Sequence, residues 1–409
     1  MNLTRTHIIT IIIAISVLLA AAGINSSDFG GPAFLTSNRI SYILFFCIIL
    51  SVMNTSLPFH ELKVYILLYL IFVSLYILSG VISTLLNGFN ELFFSRIISW
   101  LISFVISVGL CVVIVKENYT DWKRLGYYFF IGYMLLLLYA FLFLLEELTS
   151  SSFRILFVRE KLSLLSEGQT RFVTGLVWGY FLSYIYIFYG TNSPKKLSLF
   201  FVNITLFFIL LLCGSRQSML AMLGFNLLLF FRLTKKNIMT LVGLVIITMA
   251  SLTYLYNSGN IFVLGLYDRV VESSAKQYDS GYDRTEVYND AISIFNSHPI
   301  FGIGPENFPS HSLNSTGLTA HNDFLKLLSE HGIIFSILII SIIFFILLIN
   351  LKRNYSSNFF PYKVFASALI TTIVVFSNFN TIFHELMVSI LTAFAFSTYR
   401  IDRSIYEKH

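Results

Sequence analysis

Long apolar runs separated by short polar connections make up most of this chain. A helix that crosses a membrane needs about 20 mostly apolar residues. Runs of this kind fall at 7–23, 40–53, 64–86, 95–115, 126–145, 172–190, 197–213, 217–231, 238–256, 333–351, 363–379 and 382–399. The pattern predicts an all-α polytopic membrane protein with about 12 transmembrane helices. The last two runs, which the sequence SNFNT interrupts, could instead form a re-entrant hairpin.

Two longer polar segments lie between these runs, at about 146–171 and at 257–331. The middle of the first predicts a short amphipathic helix on the membrane surface. The second contains TEVYNDAISIF, with apolar residues at helical spacing, and then the turn-rich FGIGPENFP. His321 then opens a helix that we expect to continue into the run from Ile333. The organisation predicted is helices 1–9 within 1–256, a large loop at 257–331 that carries the candidate chemistry, and helices 10–12 with a tail at 332–409.

Composition and charge agree with a membrane protein. The chain is 56% hydrophobic and only 12% charged, whereas soluble domains are about 25% charged. The net charge of +6 does not form a basic stripe, so nucleic acid is excluded as a partner. If the N-terminus is cytoplasmic, most of the 27 Lys and Arg residues fall on the cytoplasmic side. This distribution predicts that both termini are cytoplasmic and that the two long polar segments lie outside.

Three arginines are candidates for binding an anion. Arg216 lies in CGSRQSM between two apolar runs, where a helix N-terminus and a guanidinium would together suit phosphate. Arg284 stands near the start of the predicted outer helix, and Arg171 lies at the outer mouth of the sixth run. Together the three could form a fork for a pyrophosphate. The alternative is that Arg216 is an interfacial arginine whose head reaches the headgroups, and that the other two pair with nearby carboxylates.

His321 is the candidate general base. It opens a predicted helix beside Asn322 and Asp323, which could fix the tautomer of an imidazole whose ordinary pKa is near neutrality. The alternative is a solvated loop histidine. His331 lies ten residues further on, which separates the two rings by about 15 Å along a helix, and no metal-binding or phosphate-loop motif occurs. We therefore expect no metal and no cofactor.

Four motifs in order resemble a known family. DRTEVYNDAISIFNSHPIFGIGPENF and AHNDFLKLLSEHGIIFSI resemble the signature region of the bacterial O-antigen ligase and O-antigen polymerase superfamily. GSRQSMLAM resembles its arginine-bearing outer helix end, and TRFVTG resembles an earlier arginine-glycine motif. VWGY follows Gly175 where many members carry Pro-Asn, which is a departure beside Arg171.

The resemblance implies a glycosyltransferase of the bacterial inner membrane that works on its periplasmic face. The donor would be an undecaprenyl-diphosphate-linked glycan, used without metal or nucleotide, and a chain-length regulator protein is a further candidate partner. His321 would be the base, Arg216 and Arg284 would hold the diphosphate with help from Arg171, and Asn322 is grouped with the substrate-binding residues. A composition rich in Phe, Ile, Tyr and Asn favours a polymerase. The alternatives are a ligase that transfers the glycan to lipid A-core, another acceptor such as a protein, and a flippase or transporter.

Overall fold

The computed structural model describes residues 11, 14, 59–87, 91–116, 122–148, 169–189, 205–206, 209–210, 215–230, 250, 253–254, 257–258, 284–356, 359–378 and 386–406. Within these residues the secondary structure consists of helices and turns, with no strand. The runs predicted at 7–23, 40–53, 197–213 and 238–256 lie almost entirely outside the described residues. The surface helix predicted within 146–171 lies outside them as well.

Five apolar helices form the described part of the first 256 residues. They are α1 (Phe59–Asn87), α2 (Glu91–Lys116), α3 (Trp122–Leu148), α4 (Gln169–Tyr189) and α5 (Arg216–Phe230). The helices predicted at these places are confirmed, and most extend beyond the apolar run by a few polar residues at each end. Apolar side chains surround these helices on most sides, a pattern typical of segments in lipid or inside a helical bundle.

The remainder of the chain adds four α-helices within the described residues. They are α6 (Arg284–Ser297), α7 (Asp323–Ser356), α8 (Phe360–Thr371) and α9 (Leu386–Tyr406). A 3₁₀ turn at Phe308–Ser310 lies between α6 and α7, and a π turn at Thr372–Phe376 continues α8. The outer helix expected at TEVYNDAISIF is therefore confirmed as α6. The helix expected to run from the His321 region into the run at Ile333 is confirmed as α7.

Two helices among the described residues are long and apolar enough to cross a membrane, by length and composition. They are Ile66–Leu86 of α1 and Asp323–Asn354 of α7, while shorter apolar helices occur in α2, α5, α8 and α9. The total of about 12 transmembrane helices stays a prediction. Gly332 has a non-helical backbone and divides α7, and the part from Ile333 to Ser356 extends about 36 Å at 1.5 Å per residue. This second part is long enough to cross the roughly 30 Å of a bilayer core.

Aromatic stacking and hydrogen bonds between polar side chains join neighbouring helices of the bundle. The rings of Phe181 and Phe225 stack with centroids 4.3 Å apart, which joins α4 to α5. Between the same two helices, the hydroxyl of Tyr184 donates to Oδ1 of Asn226 at 2.8 Å. Polar side chains in such a setting stabilise helix association because they satisfy each other away from water. The helices that begin near Arg171 and at Arg216 are therefore packed side by side.

Candidate functional site

The N-terminus of α7 is fixed by a cap and by a neighbouring turn. The backbone N–H groups of Phe324 and Leu325 donate to Oδ1 of Asn322 at 2.9 and 3.0 Å. The side-chain amide of Asn322 donates to the carbonyl of Asn378 at 3.3 Å, and the N–H of Asp323 donates to the carbonyl of Ser377 at 2.8 Å. These bonds tie the start of α7 to the turn that follows the π turn.

His321 immediately precedes this capped start and has a left-handed backbone, with φ of 50°. Histidine is among the residues that adopt this conformation more often than most. Its side chain is only partly exposed. The helix start expected near His321 is thus confirmed. His321 occupies the position just before Asn322, which caps the N-terminus of α7.

The same turn region connects to α4, the helix that carries Arg171. The indole N–H of Trp178 donates to the hydroxyl of Thr372 at 3.1 Å, and its ring packs edge-on against Phe376 with centroids 6.1 Å apart. Trp178 lies seven residues beyond Arg171, so the two positions share one face of α4. The backbone of Arg171 therefore lies two turns from the element that anchors His321.

Arg216 is the first residue of α5, as the sequence predicted. The N–H of Met219 donates to the carbonyl of Ser215 at 3.1 Å, and the hydroxyl of Ser215 donates to that of Ser218 at 2.8 Å. α5 packs against α8 and against the π turn. The backbone of Arg216 is therefore at a helix N-terminus, where the N–H groups favour an anion.

Arg284 is the first residue of α6, which packs against α7 through a small apolar core. This core consists of Val287, Ala291, Ile294, Ile303, Phe308 and Ala320. Val287 lies one turn after Arg284, and Ala320 immediately precedes His321. The backbones of Arg284 and His321 therefore flank the same small core.

The guanidinium groups of Arg171, Arg216 and Arg284 lie outside the described part of the structure. The described backbone places all three at or near helix N-termini, on elements that pack around the start of α7 or the turn that anchors it. Their convergence on a diphosphate beside His321 stays a prediction.

A buried ion cluster lies in the first turns of α7, and sequence reasoning missed it. Nζ of Lys326 is 2.8 Å from Oε1 of Glu306 and 3.8 Å from Oε2 of Glu330. Glu330 is fully buried, and its Oε1 accepts the N–H of Phe308 at 3.3 Å. Lys326 and Glu330 are four residues apart, a spacing that could have indicated their pairing. Nothing local in the sequence indicates Glu306, which is twenty residues before Lys326.

The loop after α6 crosses α7 at a helix kink. Gly332, with φ of 65° and ψ of 179°, interrupts the helical backbone of α7. Around it, the N–H of Gly304 donates to the carbonyl of Glu330 at 2.8 Å, and the N–H of Ile333 donates to the carbonyl of Pro299 at 2.8 Å. A Cβ on Gly302 would overlap the carbonyl of Glu330, so the two backbones require glycine at this crossing.

The other histidines of this region make structural contacts. Nδ1 of His331 lies 2.8 Å from the hydroxyl of Ser79, and its ring packs 4.9 Å from that of Tyr76, which joins α7 to α1. Nδ1 of His311 accepts the N–H of Leu313 at 3.2 Å. Partial burial and the neighbouring His298 lower the pKa of His311 below its ordinary value.

A comparison with protein families finds one described as O-antigen ligase, whose model matches residues 201–340. The match covers about a third of the chain and includes Arg216, Arg284 and His321, whereas Arg171 lies before it. It supports a place for this chain in the O-antigen ligase and polymerase superfamily. None of the curated proteins matches the chain.

The family match supports, at a coarse level, a membrane-associated enzyme of O-antigen and lipopolysaccharide biosynthesis. The two long apolar helices α1 and α7 are consistent with insertion in a membrane. The match gives no support to a chain-length regulator protein as a partner.

Proposed function

We propose that this protein is an O-antigen polymerase. It would transfer a growing glycan from undecaprenyl diphosphate onto the next lipid-linked repeat unit, at the periplasmic face of the membrane. The observation that carries the proposal is His321, held partly exposed at the capped start of α7 inside the region that matches the family. The choice of a polymerase is supported by composition, since 42 Phe and 23 Tyr residues resemble the usage of such polymerases.

The proposed reaction is a single inverting displacement at the anomeric carbon. His321 accepts the proton of the acceptor hydroxyl while that oxygen forms the new glycosidic bond. The bond from the anomeric carbon to the diphosphate breaks, and the electron pair leaves with undecaprenyl diphosphate. Cationic side chains at Arg216 and Arg284, assisted by Arg171, stabilise the departing negative charge. The donor already contains the free energy of the transfer, so the reaction needs no nucleotide.

In this proposal Asn322 positions His321 and does not bind the glycan directly. Its carbonyl oxygen accepts two backbone N–H groups of α7, and its amide donates to Asn378. These contacts use the polar atoms of the side chain for the helix start. We assign Asn322 to positioning His321, while the arginines hold the donor.

The proposal is tested with the purified full-length protein in nanodiscs and a synthetic lipid-linked donor. His321→Ala should lose about two to four orders of magnitude of transfer, the usual contribution of a positioned base. Donor binding should survive, because the arginines hold the diphosphate. Transfer by the parent protein should fall as acid protonates the imidazole, and EDTA should leave it unchanged.

His311→Ala is the matched control, since His311 is another partly exposed histidine of the same region. It should keep near-normal transfer. Full activity of His321→Ala would remove His321 from the reaction. Loss of activity in His311→Ala alone would transfer the role of base to His311.

A ligase is the second candidate, because the matched family is described as O-antigen ligase. The chemistry at His321 would be the same, with lipid A-core as the acceptor. The lipopolysaccharide pattern of a deletion strain separates the two. A single repeat unit on the core indicates a polymerase, whereas bare core with accumulated lipid-linked polymer indicates a ligase.

A further inference from the structure

A short apolar turn lies between α6 and the loop that crosses α7. It consists of residues 298–301, which follow the last residue of α6. Pro299 is exposed, Ile300 is 53% exposed, and Phe301 is partly exposed. Most of the exposed residues of α6 are polar, so the apolar turn stands at the end of a polar surface.

Two backbone contacts place the apolar turn beside the second part of α7. The N–H of Ile333, the first residue after the break at Gly332, donates to the carbonyl of Pro299 at 2.8 Å. A Cβ on Gly332 would overlap the carbonyl of Ile300, so these two backbones are in contact. The apolar turn therefore lies against the first residues of the part of α7 that is long enough to cross a bilayer.

The rest of the loop contacts the first part of α7 instead. The N–H of Ile303 donates to the carbonyl of Ser329 at 3.0 Å, and the side chain of Glu306 is paired with that of Lys326. Charged and hydrogen-bonded groups characterise this part of the loop, whereas the apolar turn presents mainly hydrocarbon. The polar and apolar parts of the loop are thus separated at the break in α7.

The exposed apolar surface of α7 begins at the same break. Residues 323–332, all of them described, include none that is exposed. After the break, exposed apolar side chains recur at helical spacing, among them the pair Ile333 and Ile337 and the pair Ile334 and Leu338. On a helix that crosses a membrane, such a continuous apolar face is the one that lipid covers. The apolar turn lies beside the first residue of this face.

The helix α1 provides an independent reference for this level. Its candidate membrane-spanning segment ends at Leu86. A Cβ on Gly304 would overlap the hydroxyl of Ser83, which lies in the last turn of that segment. The imidazole of His331 contacts Ser79, one turn earlier along α1. The loop and the break in α7 are therefore beside the end of the α1 segment, where a hydrocarbon core meets the headgroups.

We propose that the apolar turn inserts into the interfacial layer of the membrane, with Ile300 in contact with lipid. The apolar faces of interfacial helices are buried about 5–10 Å into the boundary between headgroups and acyl chains, and we expect a similar depth for the turn. A lone exposed isoleucine would need no partner, but Ile300 continues the exposed apolar face of α7. The turn thereby fixes the depth of the crossing at Gly332 relative to the bilayer. This inference holds for either orientation of α7 and does not depend on the transfer reaction proposed above.

The experiment is fluorescence quenching of the labelled full-length protein in liposomes. Ile300→Cys carries an environment-sensitive nitrobenzoxadiazole maleimide, and the parent protein, treated in the same way, measures the signal from its own cysteines. The quenchers are phospholipids with a nitroxide near the headgroup or near the end of the acyl chain. We expect the Ile300→Cys label to emit at a shorter wavelength than in water and to lose emission most with the shallow nitroxide.

Two further positions make the result specific. Ile292→Cys is the matched control, because Ile292 is an exposed isoleucine among polar residues of α6, and its label should keep its emission with both quenchers. Phe344 lies on the exposed apolar face of α7, about 16 Å along the helix from Ile333, so a Phe344→Cys label should lose emission most with the deep nitroxide.

Two results would overturn the proposal. One is an Ile300→Cys label that neither nitroxide quenches, because the turn then lies in water or is covered by a second copy of the chain. The other is quenching of the Ile292→Cys label to the same extent as the Ile300→Cys label, because the whole outer segment would then rest on the lipid without a specific contact at the turn.

Discussion

At the scale of single residues, the fully buried carboxylate of Glu330 depends on one cation. Its Oε1 accepts a backbone N–H, but its Oε2 is buried and, within the described residues, has no hydrogen-bond partner. Nζ of Lys326, 3.8 Å away, is the counter-charge that faces it. A buried charge is tolerated only when it is paired, so Lys326 stabilises the start of α7 although it touches neither of the proposed reactants.

We therefore predict that Lys326→Met destabilises the folded protein by about 3 kcal/mol. This is the lower end of the effect of breaking a buried ion pair, because the Lys326 side chain is 12% exposed. The measurement is the midpoint of thermal unfolding in detergent, followed by intrinsic fluorescence. Lys352→Met, at an exposed lysine further along α7, is the matched control and should leave the midpoint unchanged.

A double variant identifies the cause of this loss. If the unpaired charge of Glu330 is responsible, Lys326→Met combined with Glu330→Gln should recover part of the lost stability, because Glu306, whose side chain is 10% exposed, is then the one carboxylate of the cluster that has lost Lys326. If the double variant loses as much stability as the two single variants together, the fold requires the aliphatic part of the Lys326 side chain and not its charge.

Arg216 is the other residue at which a conservative change is informative. Its position at the first residue of α5 suits a diphosphate, and a guanidinium can bind two oxygens at once. We predict that Arg216→Lys loses most of the transfer activity at normal protein levels, because an ammonium does not reproduce that geometry. The assay is initial rate against donor concentration. A lysine variant as active as the parent would identify Arg216 as an interfacial anchor only.

At the scale of elements, local pattern predicted the helices and missed the way they are connected. The spacing of Val287, Ala291, Ile294 and Phe295 predicts α6; the first three are buried, whereas Phe295 is partly exposed. The crossing of the loop over Gly332, and the bond from Asn322 to Asn378, join residues far apart in sequence. No periodicity reports such contacts, because they depend on tertiary packing. The position of His321 was therefore predictable, whereas what holds it was not.

The crossing of the loop after α6 over α7 predicts that position 332 requires glycine. Gly332→Ala should destabilise the protein strongly, since φ of 65° alone costs an L-residue roughly 1–2 kcal/mol and the new Cβ would also overlap the carbonyl of Ile300. Gly317→Ala isolates the first effect, because Gly317 has φ of 66° and open space around it. The unfolding midpoint should fall for both variants, and much further for Gly332→Ala.

Gly224→Ala is the matched control at a helical glycine. Its Cβ would meet the Thr371 side chain at 3.6 Å, an ordinary contact, so stability should hold or rise by about 0.5–1 kcal/mol. A Gly332→Ala variant as stable as Gly224→Ala would mean that the loop and α7 do not cross as described, and the placement of Glu306 beside Lys326 would fail with it.

At the scale of the whole molecule, α7 connects two chemically different ends. Its first turns carry the ion cluster of Lys326 and Glu330, a few residues after His321, and its last turns carry Lys352 and Arg353. The apolar run between them predicted the long helix, and the distribution of Lys and Arg predicts its direction across the membrane. Only the distribution of Lys and Arg indicates which side of the membrane each end of α7 faces, so the orientation needs a direct test.

The last prediction is therefore the topology. Reporter fusions after Arg232 and after Lys352 should report cytoplasm, and fusions near Gly168 and Asn314 should report periplasm.

Cysteine labelling in the full chain is a second test of the topology. Leu313 lies before the start of α7 and Lys352 lies near its end, and both positions are exposed, so each can be changed to cysteine. An impermeant maleimide should label Leu313→Cys in intact spheroplasts, and Lys352→Cys only after permeabilisation. The parent protein is the control for its own cysteines. Labelling in the reverse order would place His321 in the cytoplasm, where a periplasmic transfer from undecaprenyl diphosphate could not occur.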